Sequence, residues 1–129
     1  MKIAILGLGH IGSWLAAELG RDHEVAAFDV DVSKAERGSF TRLDRLDEVG
    51  NHHPHLLINA VTLRNTVGAF EDVSYYLEQD CIRCDVASVK GRIVDYYRKA
   101  PFPFVSVHPM FGPTFAEMDS VKEENAVII

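Results

Sequence analysis

Six residues, GLGHIG, stand between the apolar run KIAIL and the amphipathic stretch SWLAAEL, and they constrain this chain more than anything else in it. They put Gly7, Gly9 and Gly12 in G-x-G-x-x-G spacing. The spacing alone is common, so its context decides. Lys2 to Leu6 is β-prone, while Ile11, Leu15 and Leu19 share one helical face that stops at Gly20. A glycine turn that leaves a strand and opens a helix suits a dinucleotide's pyrophosphate. Gly7 permits the tight turn, Gly9 lets the backbone approach the phosphates, and Gly12 lets helix and strand pack closely. The helix start adds free N–H groups and a partial positive charge. The same pattern asks for an acid about 20 positions further on. Asp29 ends EVAAFD, 17 residues after Gly12 (29 − 12). Its carboxylate should accept from ribose hydroxyls and repel a 2′-phosphate by about 1–4 kcal/mol, which favours NAD over NADP. Lys34 and Arg37 are near enough in sequence to soften that preference.

The rest of the chain alternates strands and helices. Apolar runs predict strands at His23 to Val30, His55 to Val61, Cys81 to Ser88, FPFVSVH and NAVII (Asn125 to Ile129), with a weak strand near Phe40. A short helix is predicted near Ser33 to Arg37. A longer one covers NTVGAFEDVSYYLEQD, with Val67, Phe70, Val73 and Leu77 on one face. Another covers VKGRIVDYYRKA and ends before Pro101. The strands are almost continuously apolar, so both faces of the sheet are covered. The expected fold is α/β: a Rossmann-type, doubly wound, mostly parallel sheet with helices on both faces. The 129 residues make one dinucleotide-binding domain, 1–129. They stop inside a strand, so a fragment of a larger protein is expected.

A net charge of −6 offers no global attraction to nucleic acid or an anionic membrane. No stretch has the apolar length of a membrane span, and His10 and the glycines interrupt any reading of the N-terminus as a signal peptide. A cytoplasmic protein is expected. Cys81 and Cys84 form C-I-R-C within a predicted strand, where positions three apart face opposite sides, so two buried structural thiols are expected rather than a redox pair. His52, His53 and His55 lie in a loop without carboxylate or thiolate company, and no metal site is expected. The pairs Tyr75–Tyr76 and Tyr96–Tyr97 read as partly buried packing.

Two further strand ends carry polar residues. DVASVKG brings Asp85, Ser88 and Lys90 to one, and VSVHPMFGP brings His108 to the next. Ligands of open parallel sheets lie outside the carboxyl ends of the strands, so the glycine turn, Ser88 and His108 should face one crevice. Pro109 stops the strand and presents the imidazole, whose ordinary pKa of about 6.5 suits acid–base work. His108 is otherwise a hydrogen-bonded loop histidine. Ser88 is otherwise an N-cap, and Lys90 points to phosphate or to solvent. The candidate cofactor contacts are Gly7, Gly9, His10, Ile11, Gly12, Asp29, Val61 and Ser88. The candidate catalytic residues are His108 and Ser88.

With these residues in view, the chain resembles the prephenate dehydrogenase family, which includes arogenate dehydrogenases. GLGHIGSWLA, DVASVKG and HPMFGP carry the likeness, in order along the whole chain. The resemblance implies NAD-dependent oxidative decarboxylation of prephenate to 4-hydroxyphenylpyruvate in tyrosine biosynthesis. It implies that His108 takes the proton of the ring hydroxyl as hydride leaves, and that Ser88 orients that hydroxyl and the imidazole. This sequence departs from the family with Thr114, where many members carry an acid, and with Thr62, where many carry proline. The resemblance also implies a helical C-terminal domain, absent here, that makes a homodimer and binds the substrate's carboxylates. Little or no turnover is then expected from this chain alone. The alternatives are another Rossmann dehydrogenase, acting on arogenate, an imine or a β-hydroxyacid, or a non-catalytic NAD-sensing module.

Overall fold

Four consecutive residues of β1 (Lys2–Leu6), from Ile3 to Leu6, are buried, as a strand covered on both faces requires. The computed structural model describes residues 1–34, 38–110 and 126–128, and β1 is an interior strand of its sheet. Parallel to β1, β2 (Glu24–Phe28) pairs on one side and β4 (Leu56–Asn59) on the other. The strand β3 (Thr41–Leu43) continues beyond β2, and β5 (Ile82–Asp85) and β6 (Phe104–Pro109) continue beyond β4, all parallel. An antiparallel β7 (Ala126–Ile128) lies beside β6. Among the described residues the order is β3-β2-β1-β4-β5-β6-β7. The chain winds one way from β1 and then returns to β4, so the loops after β1 and β4 part and leave a crevice at the carboxyl edge.

Helices cover both faces, and the predicted Rossmann-type architecture is the one observed. On one face α1 (His10–Leu19) lays Ala16, Leu15 and Leu19 against Ile3, Ile5, Val25 and Ala27. On the other, α2 (Glu48–Asn51), α3 (Thr66–Ser74) and α4 (Gly91–Arg98) bring Val49, Phe70, Val73, Ile93 and Tyr97 onto Ala4, Leu6 and Leu57. Phe70 is fully buried and stacks on Tyr96 at 5.6 Å between centroids. Burying such a ring is worth about 1.5–3 kcal/mol, and each aromatic pair adds about 0.5–1.5 kcal/mol.

Several local expectations are corrected. The helix α3 ends at Ser74, whose hydroxyl donates back to the carbonyl of Phe70 (2.5 Å), a bond that competes with continuing the helix. Tyr75 and Tyr76 therefore point outward, 88% and 45% exposed, instead of packing. Tyr96 and Tyr97 do pack as expected. Ser33 and Lys34 belong to a turn opened by the Asp31 carboxylate, which accepts from both the amide and the hydroxyl of Ser33. The rest of that expected helix, Ala35 to Arg37, lies outside the described residues, as do Phe111 to Pro113, Thr114, Asn125 and Ile129.

Cys81 and Cys84 are buried, free, and in core clusters on opposite sides of the sheet. Burial raises the thiol of Cys81 from 9.0 to about 11 and that of Cys84 to about 12. The three histidines of the N-H-H-P-H stretch diverge. His52 bonds through Nε2 to the carbonyl of Ile3 (3.1 Å), and His55 Nδ1 accepts from the amide of Lys2 (3.0 Å). His53 instead faces Glu78. Among the described residues no helix is long and apolar enough to cross a membrane.

Candidate functional site

The turn after β1 is shaped by where side chains are excluded. Gly7 has φ +90°, and a Cβ there would meet the backbone of Ala60 and Val61 at 2.9 Å. Gly12 sits so close to the turn that a Cβ would lie 1.8 Å from the carbonyl oxygen of Gly7. Both positions are closed by the fold itself. Gly9 differs: a Cβ there would meet nothing within 4 Å, and the residue is exposed. The protein does not need glycine at that position for its own packing. Open space over a main-chain amide, at the start of a helix with no acidic residue in its first turn, fits a phosphate group. The amide of Ser13 makes the helix's first bond, to the carbonyl of Gly9 (2.9 Å). The amides before it in α1, those of His10, Ile11 and Gly12, have no partner within the helix.

Asp29 lies just past the end of β2 and grips this turn. Its Oδ2 accepts from the amide of Leu8 (2.6 Å) and its Oδ1 from the amide of Asp31 (2.8 Å). A carboxylate has about four acceptor positions, so two remain for a ribose diol. Gly7, Gly9, Asp29 and Val61 line a cleft of about 620 Å³, together with Thr62 and Arg64 from the turn after β4. His10, Ile11 and Gly12 flank the turn outside that lining. Lys34 also lines the cleft. The sequence reading missed Arg42 on β3. Its guanidinium donates to the carbonyls of Lys34 (3.0 Å), Asp29 (3.0 Å) and Leu43, tying the loop after β2 to its neighbour strand. Finding it needs the strand order: β3 pairs with β2 and brings its own carboxyl end next to Asp29.

At the other end of the same edge stand Ser88 and His108. Val105 and Val107 pack on the α1 side, so alternation turns Ser106 and His108 to the α4 side. Asp85, paired in register with Ser106, shares that face. His108 is half-buried at the end of β6, and Ser88 is exposed in the turn between β5 and α4. Neither lines the cleft beside Gly9. Three strand spacings separate β6 from β1, roughly 14 Å along the carboxyl edge. Ser88 does not cap α4, because the N-cap position is Lys90 and no side chain caps it. Lys90 does not reach toward solvent or phosphate either. Its Nζ donates to Asp85 Oδ2 and to the carbonyl of Val107, both at 2.8 Å.

The Asp85 carboxylate is fully buried and heavily satisfied. Besides Lys90 it accepts from the amide of Ala87 (3.1 Å) and from the hydroxyl of Tyr97 (2.9 Å). Burial, with the Asp85 charge beside it, holds the Tyr97 phenol protonated far above its ordinary range.

Comparison with known proteins adds an independent line. A family model described as the nucleotide-binding domain of prephenate dehydrogenase matches residues 15–128. A search of curated proteins found no match. Among solved structures, the arogenate dehydrogenase of Synechocystis is 25% identical with a TM-score of 0.75, over 91% of this chain and 45% of that one. The prephenate dehydrogenase of Aquifex aeolicus, solved with hydroxyphenyl propionate and NAD⁺, is 19% identical with a TM-score of 0.83, over 99% and 50%. An imine reductase from Myxococcus stipitatus, solved with NADP⁺, is 11% identical with a TM-score of 0.75, over 95% and 50%. The last two likenesses show the shared fold. This chain spans about half the length of each of these structures.

Proposed function

Because the chain belongs to the prephenate dehydrogenase family, as its nucleotide-binding domain, we propose that it binds NAD⁺ across the carboxyl edge of the sheet for the oxidative decarboxylation of prephenate. Gly9 and the first amides of α1 would hold the pyrophosphate, with His10, Ile11 and Gly12 contributing the rest of that turn. Asp29 takes the ribose hydroxyls and disfavours a 2′-phosphate, and Val61 lines the wall. The observation that carries this reading is the empty space over Gly9, next to a carboxylate with free acceptor capacity.

When bound, NAD⁺ supplies the hydride acceptor. The chain's own residues supply the rest. His108 accepts the proton of the ring hydroxyl as that carbon gains carbonyl character. Ser88 orients the hydroxyl and the imidazole, and aromatisation expels the carboxylate as CO₂. A further domain completes the substrate site, a reading supported by the length of the solved relatives; that it is helical and forms a homodimer follows the family resemblance alone. The protein acts in the cytoplasm.

Steady-state turnover of the full-length enzyme on prephenate, arogenate, imines and small hydroxyacids tests this. Prephenate with NAD⁺ is expected to be the best pair, and arogenate the nearest rival. His108→Asn is expected to lower kcat by about 10²–10⁴ with NAD⁺ affinity nearly unchanged, because the imidazole acts in the transition state. No turnover of any of these substrates, with the protein's role in the cell surviving His108→Asn, would instead favour an NAD-sensing module.

A further inference from the structure

We propose that Lys90 is a positioning residue for the chemistry at this end of the sheet, an inference that rests on the reading of His108 and Ser88 given above. The ladder between β5 and β6 explains why a lysine is needed. The amide of Arg83 donates to the carbonyl of Pro103 (3.0 Å), and the last registered pair is Asp85 with Ser106. In a parallel ladder the next step, two residues on, would give the carbonyl of Val107 to the amide of Ala87. That amide has turned back to the Asp85 carboxylate instead. The chain leaves the sheet there, and the carbonyl immediately before His108 loses its ladder partner.

The ammonium of Lys90 takes the vacated place, 2.8 Å from the Val107 oxygen across 17 residues of sequence. Its charge is matched by Asp85 at 2.8 Å, and the lysine side chain is only 12% exposed. Tyr97, from the same helix, holds the other oxygen of Asp85. One buried cation thus joins the turn that carries Ser88 to the backbone that carries His108. It fixes their separation although β5 and β6 no longer pair at that level. Lys90 touches neither cofactor nor substrate in this account.

Two variants separate positioning from simple stabilisation. Lys90→Met removes the strap but leaves a buried carboxylate unpaired, which can prevent folding. Asp85→Asn/Lys90→Met removes both charges and leaves an acceptor for Ala87 or Tyr97, so it carries the test if the single variant fails to fold. Native-state amide hydrogen exchange is expected to speed up by about tenfold or more at residues 86–90 and at Val107 and His108, with no change in β1 and α1. In the full-length enzyme, kcat is expected to fall by about tenfold or more while NAD⁺ affinity holds within about twofold. Lys90→Arg, whose guanidinium can still donate to both oxygens, is expected to recover part of that loss. A uniform rise in exchange across the chain, or a kcat unchanged in a folded variant, would overturn the proposal. If the wild-type enzyme turns over none of the substrates, the reading of function fails instead. The hydrogen-exchange comparison then still decides the role of Lys90.

Discussion

At the β1 end of the carboxyl edge the surface offered to a ligand is main chain. Gly7, Gly9 and Gly12 strip it of side chains, and one carboxylate, Asp29, holds the turn by the amide of Leu8. At the β5–β6 end the surface is side chain. Ser88 and His108 stand on segments joined by the buried group of Asp85, Lys90 and Tyr97. In the proposed reading the first end recognises the dinucleotide, with main-chain donors. In the same reading the second end serves proton transfer, and its precision depends on charged groups largely shielded from water. Amides that cannot move need little support. Two side chains, one in a turn and one at a strand end, need a device to hold them.

The contrast is broken most severely by putting a side chain where the main chain must close. Gly12→Val sets a Cβ 1.8 Å from the Gly7 carbonyl, so α1 and β1 must part. A loss of about 3 kcal/mol or more is expected in thermal or denaturant unfolding. Next comes the other end: Tyr97→Phe removes a hydrogen bond to a buried carboxylate and is expected to cost about 1.5–3 kcal/mol in the same assay, without affecting NAD⁺ binding. Gly9→Ala is expected to do the reverse. Its methyl group enters open space, so the melting temperature should hold while NAD⁺ affinity drops by about tenfold, or about 1.4 kcal/mol. A Gly9→Ala protein that binds as tightly as wild type would break the idea of a main-chain cradle.

The smallest effect is absent at neutral pH. The folded state keeps Cys81 and Cys84 protonated to about 11 and about 12, whereas unfolded thiols ionise near 9.0. The unfolded state therefore releases protons first. The thiols' contribution should be flat below pH 9 and fall as pH rises through that window. Denaturant midpoints measured across that range check the sign, and a Cys84→Ala protein should lose part of the slope.

These differences also explain what could be read in the sequence. The glycine turn and Asp29 were legible because they answer local demands: a positive φ, a close helix–strand approach, and an acid at a fixed distance. The sheet followed from strands apolar throughout. Lys90 was not legible, because its destination is a carbonyl freed where a ladder ends 17 residues away. Ser88 looked like a cap because a polar residue precedes an amphipathic stretch, yet α4 begins three residues later, at Gly91. Tyr75 and Tyr76 kept the helical period of α3 on paper, but the helix had already stopped at Ser74. Arg42 needed the order of the strands, which no single stretch contains.

The central claim is that a dinucleotide lies over the turn between β1 and α1, gripped by main-chain amides. Amide chemical shifts followed during titration with NAD⁺ and NADP⁺ test it most directly. Saturable binding of NAD⁺ is expected to move the amides of Leu8, Gly9, His10, Ile11 and Gly12 most, with Asp29 and Val61 next and NADP⁺ weaker. Saturation that leaves those amides in place, or no binding of either nucleotide, would contradict it.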